Sequence, residues 1–140
     1  MIGLVSPMSV VPRAPYALEP NAFPLPALAT MAGRAPLGGP RELALAWLVV
    51  ARLVIDAVLN GQPLSSDQRQ ARAQGAKHWL GSTAIATPVR AALARLAEST
   101  SDEDKGAMKA AFDSVMTVTA NQLDSGARLE LGRLAQAIAK

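Results

Sequence analysis

"ELALAWLVVARLVIDAVLN", residues 42–60, decides how the rest of the chain is read. At a helical rise of about 1.5 Å per residue this stretch reaches roughly 30 Å, the depth of a bilayer core. Its ten Leu, Ile and Val residues favour insertion, by about −3 to −6 kcal/mol together on the insertion scale. Arg52 and Asp56 oppose it by about +5 to +7 kcal/mol before any pairing. The balance does not favour a membrane, and no Lys/Arg cluster flanks the stretch to orient it. On a helical projection Leu45, Val49, Arg52, Asp56 and Asn60 share one narrow stripe, with Arg52 and Asp56 spaced i,i+4 to pair. A helix apolar on nearly every side but one is expected at the centre of a soluble bundle. A membrane-associated subunit anchored through residues 40–60 is the weaker alternative.

Towards the N-terminus the composition changes. Eight of the ten prolines lie in residues 1–40. Each lacks an N–H and biases its predecessor away from the α region, so residues 1–39 read as an extended, proline-rich arm. The arm is too apolar for an ordinary disordered tail, which is polar and charged. Leu4, Val10, Val11, Tyr16, Leu18, Phe23, Leu25, Leu28 and Met31 need a surface to rest on. That surface is either the chain's own helical domain or a partner. The partner-contact candidates are Tyr16, Phe23, Leu25 and Leu28, with Trp47 from the first helix. The opening "MIGLVSPMSVVPRA" has no basic n-region, and Pro7 interrupts its apolar run, which points to a cytoplasmic protein.

Towards the C-terminus the patterning is helical throughout, with no strand-like alternation. The first predicted helix runs from Pro40 to Asn60 and stops at Gly61. The second opens on Ser65, which forms a capping box with Gln68, and ends at Leu80 before Gly81. Gly75 in its interior implies close approach of another backbone. The third takes Thr87 as N-cap and Pro88 at N1 and reaches Glu98. The fourth starts at Ser101, with Asp102, Glu103 and Asp104 in its first turn, and ends near Gln122. The fifth spans Ser125–Ala139. Val89, Ala92, Leu93 and Leu96 line one face of the third helix; Met108, Ala111, Phe112, Val115 and Thr119 line the fourth; Ala127, Leu131, Leu134 and Ile138 line the fifth. The expected fold is a small all-α bundle of about five helices over residues 40–140, with the hydrophobic first helix central.

Chemistry is sparse. There is no cysteine and one histidine, His78, so neither thiolate chemistry nor a Cys/His metal centre is indicated. "GRAPLGG" at 33–39 lacks the Lys-Ser/Thr ending and the preceding strand of a phosphate loop. No base pairs with Ser82 or Thr83 in "GSTAIATP". No cofactor is expected and the chain reads as non-catalytic. Aromatic residues make up 4% of the chain, too few for a base-stacking platform. Charge is divided unevenly. Residues 61–97 carry Arg69, Arg72, Lys77, Arg90 and Arg95 against Asp67 alone, whereas residues 98–124 are acidic. Two functional readings follow. The favoured one is an interaction or assembly module that docks on a protein partner or a second copy of itself. The other is a DNA-binding regulator using a helix-turn-helix-like unit in residues 65–98, with the basic patch near the groove.

Overall fold

The computed structural model describes residues 25–34, 39–58, 64–102 and 104–139. Among these residues the protein is all-α: α1 (Pro26–Arg34), α2 (Pro40–Val58), α3 (Ser66–Gly81), α4 (Thr87–Ser99), α5 (Lys105–Thr119) and α6 (Ser125–Ala139). A single 3₁₀ turn, Ala120–Gln122, links α5 to α6.

Helix α2 sits at the centre, as its composition demands. It packs on α1, α3, α4 and α6. Through Trp47, whose ring lies 5.1 Å from that of Phe112, it also meets α5. Leu43, Ala44, Ala46, Trp47, Val50, Ala51 and Val54 form its buried face. The Trp47 ring is fully enclosed, so its indole N–H needs an internal acceptor. Thr119 supplies one: Trp47 Nε1 donates to Thr119 Oγ1 at 3.1 Å, and that hydroxyl donates onward to the Val115 carbonyl at 2.7 Å. The helix begins where proline is tolerated, at Pro40, and the Gly39 carbonyl accepts the amide of Leu43 at 3.0 Å. Gly39 itself has φ 70°, a conformation that favours glycine. No helix among the described residues is long and apolar enough to cross a membrane.

The proline-rich segment differs from its expectation. Residues 26–34, "PALATMAGR", are helical and belong to the bundle rather than to an extended arm. Counting prolines obscured their positions: Pro26 opens the helix at a site where its missing N–H costs nothing, and the next proline is Pro36. Two side chains bury α1, Leu28 completely and Ala32 nearly so. Its free first-turn amides are capped from across the chain by Glu130 of α6, which accepts Ala27 N–H at 2.8 Å and Leu28 N–H at 3.2 Å. The fit is close at this end, because a Cβ at Gly126 would meet the Ala27 Cβ at 3.1 Å. The remainder of the expected arm, residues 1–24 and 35–38, lies outside the described residues.

Helix boundaries follow capping chemistry. Ser65 and Gln68 form the expected reciprocal box at the start of α3. Helix α4 begins one residue early, with Ala86 as an N-cap that makes no side-chain bond and Pro88 still inside the first turn. Helix α5 begins later than the expected Ser101. Ser99, Thr100 and Ser101 turn their hydroxyls back onto the carbonyls of Leu96, Ala97 and Glu98, closing α4. The N-cap role therefore passes to Asp104, which accepts Ala107 N–H at 3.1 Å. Asp102 is left exposed in the turn, and Glu103 lies outside the described residues. Asp124 caps α6 in the same way, accepting Ala127 N–H at 2.8 Å. Among the described residues nothing approaches Gly75, since a Cβ there would meet no atom within 4 Å. The close backbone contact expected at that glycine is absent among them.

Candidate interaction surface

Five helices around α2 do not cover it entirely. Opposite its buried face runs a strip along nearly the whole helix. Leu45 is 36% exposed there, and Leu48, Val49, Leu53 and Ile55 are half-buried. Residues at positions 45, 48, 49, 52, 55 and 56 share this side because helical neighbours recur every three to four residues. Arg52 stands in the middle of the strip with its side chain 76% exposed, 3.6 Å from Asp56. Such a pair in water contributes little to stability. The strip is therefore mostly hydrocarbon with one extended cation. Two other large apolar residues are exposed among the described residues, Val118 and the 68% exposed Leu129, and single exposed apolar side chains are ordinary for a folded surface.

At its C-terminal end the strip meets a small cleft. Leu53, Asp56, Ala57, Leu64, Arg72 and Thr100 are among its lining residues, and it is open to solvent with a cavity volume of only about 10 Å³. That is far below the roughly 300–1,000 Å³ of pockets that enclose small organic ligands. The Asp56 side chain is only 9% exposed and pairs with Arg72 of α3. Arg69 also faces the cleft and donates to the Leu64 carbonyl. The Asp56–Arg72 ion pair joins the end of α2 to the first half of α3. No group of three or more His, Asp or Glu residues able to hold a metal occurs among the described residues. His78 is exposed on α3.

The residues singled out from the sequence separate into distinct roles. Tyr16 and Phe23 lie outside the described residues. Leu25 is half-buried and packs on the core just before α1. Leu28 and Trp47 are fully buried inside the chain. They offer no surface to a partner, and their hydrophobicity is accounted for by the core. The basic residues are also dispersed into internal work. Arg90 donates to three carbonyls, those of Leu80 at 3.0 Å, Thr83 at 2.8 Å and Ile85 at 3.0 Å. It thereby neutralises the carbonyl end of α3 and shapes the connection to α4. Arg72 is paired with Asp56, and Lys77 with Glu98 at 2.9 Å. Arg95 alone of the five is an exposed cation without an ion pair among the described residues. Sequence reasoning missed Glu130, whose role depends on a contact 103 residues away in the chain; no local pattern announces it. No family model, curated protein or solved structure matches the chain.

Proposed function

We propose that this protein is a non-catalytic interaction or assembly module whose contact surface is the outer strip of α2. The observation that carries the reading is the row of incompletely covered hydrocarbon from Leu45 to Ile55 on the most hydrophobic helix of the chain. Apolar side chains aligned on one helix face are the kind of surface that docking removes from water. Arg52, at the centre of that face, gives a partner one charge to match.

Sedimentation analysis and affinity capture with the purified full chain test this. Association or partner retention is expected, and Leu45→Asp with Val49→Asp should abolish it while leaving helical content unchanged. A strict monomer that retains no partner, with or without the two substitutions, overturns the reading. The DNA-binding alternative has lost support, because Arg72, Lys77 and Arg90 are engaged within the fold. Retardation of duplex DNA that weakens with salt and with Arg95→Ala would restore it.

A further inference from the structure

We infer that the outer strip of α2 packs against the same strip of a second copy, running antiparallel about a two-fold axis level with Trp47. The inference rests on the reading of that strip as the contact surface, and it names the occupant. Three observations lead to it.

The first is the order of residues along the strip. Leu45 and Val49 lie two positions either side of Trp47, and Glu42 and Arg52 lie five. On a regular helix, positions equidistant from 47 also stand at equal and opposite angles about the side facing away from Trp47. Trp47 points into the core, so that side is the middle of the strip. In a two-fold pair residue i meets j and j meets i. An antiparallel copy therefore sets Leu45 against Val49 of the second copy and Glu42 against its Arg52, and each contact is made twice.

The second is charge. Glu42 Oε1 is buried and accepts no hydrogen bond among the described residues. Its place in the first turn of α2 accounts for the negative charge, but not for an acceptor left without a donor. Arg52 has donors to give. It is exposed and 3.6 Å from Asp56, a carboxylate that Arg72 also holds. The antiparallel copy brings a guanidinium to the end of α2 that lacks a donor. A parallel copy would instead set Glu42 on Glu42 and Arg52 on Arg52, so charge selects the antiparallel arrangement.

The third is area, which sets the strength. A helix face about 10 Å wide and 28 Å long offers roughly 300 Å² per copy, well short of the ~800 Å² per partner of a stable complex. The pair is thus a reversible dimer that forms and parts with concentration, not an obligate one.

Sedimentation equilibrium of the full chain reads the dimer dissociation constant. Arg52→Glu and Glu42→Arg should each weaken the dimer about tenfold or more, because each creates two like-charged contacts. Both substitutions in one chain keep the net charge and should restore most of the loss. Thiols read the register, since the chain has no cysteine of its own. A chain carrying Leu45→Cys, mixed with one carrying Val49→Cys, should oxidise to the mixed disulfide faster than either joins to itself, because like positions are offset by about 6 Å along the axis. This second test uses uncharged positions and stands by itself should a charge change disturb folding. A dissociation constant that neither single charge change moves, or that the double change fails to recover, overturns the inference. So does faster joining of like positions, the mark of a parallel pair. A chain monomeric at every concentration also overturns it; if that monomer retains a partner that Leu45→Asp with Val49→Asp releases, the strip remains the contact surface with a different occupant. A dimer that those two aspartates leave intact removes both the second copy and the strip.

Discussion

The α1–α2 and α3–α4 hairpins do the same architectural job by different means. The first is held by hydrocarbon: Leu28 and Ala32 of α1 join a core to which α2 contributes seven buried residues. The second is held largely by polar groups. Helix α3 buries only Ala73, Ala76 and Leu80 among its sixteen residues. Its position depends on the Arg90 guanidinium at its C-terminal carbonyls, on Lys77 with Glu98 and on Arg72 with Asp56. The contrast teaches that a helix with a weak apolar face can still be placed uniquely, provided its ends are tied. It also implies unequal sensitivity to substitution.

The largest effect should come from the apolar hairpin. Trp47→Ala removes a fully buried ring and the indole donor to the Thr119 hydroxyl, and should cost about 3–5 kcal/mol in urea unfolding. If it costs no more than a surface change, α2 is not the centre of the core. Next comes the polar hairpin. Arg90→Ala takes the guanidinium from the carbonyls of Leu80, Thr83 and Ile85, of which the first two keep a backbone donor, and should cost about 1–2 kcal/mol, read as a lowered thermal midpoint. A neutral result would mean that water replaces the guanidinium freely and that α3 is held by its few apolar contacts after all.

Glu130→Gln keeps the shape of the α1 cap but can no longer offer two charged oxygens. A loss of about 1 kcal/mol is expected, with faster amide exchange in α1 and unchanged exchange in α4. Uniform change across both helices would contradict the local role. Gly75→Ala should act in the opposite direction. The site is an open helix interior, so alanine is expected to stabilise α3 by about 0.5–1 kcal/mol, visible as a raised denaturant midpoint. Destabilisation would reveal a neighbour pressed against that glycine. Arg52→Ala should change stability least, by less than about 0.5 kcal/mol, since its contact with Asp56 is long, its own side chain is largely in water, and Asp56 keeps Arg72. Its consequence belongs to the strip, where association is the measurement.

Most of the fold was legible because helices advertise themselves locally. The buried faces of α4, α5 and α6 were written in their spacing: Val89 to Leu96, Met108 to Thr119 and Ala127 to Ile138 are buried as their periodicity required. The Ser65–Gln68 box spans four residues and needs no tertiary context. Two errors came from weighing composition above position. Prolines were counted across residues 1–39, whereas the uninterrupted run after Pro26 permits α1. Three consecutive acids suggested a first turn at Ser101, whereas the hydroxyls of Ser99, Thr100 and Ser101 were already committed to closing α4. The candidate surface was only half legible. An over-hydrophobic α2 signalled uncovered surface, but which side chains would remain at the outside could not be read from residues 42–60 alone.

By itself the sequence determined the all-α class, the central place of the stretch from Leu43 to Val54, and the faces that three of the later helices bury. Those properties follow from periodicity and from the cost of wetting hydrocarbon, both local to each segment. Tertiary structure decided which basic residues remain available, which helix closes on α1, and which side of α2 is left open. Each of these depends on groups distant in sequence meeting in space: Glu130 on the amides of Ala27 and Leu28, Arg72 on Asp56, Trp47 on Thr119. A charge or an amide carries no mark of the partner that will satisfy it until the chain has folded.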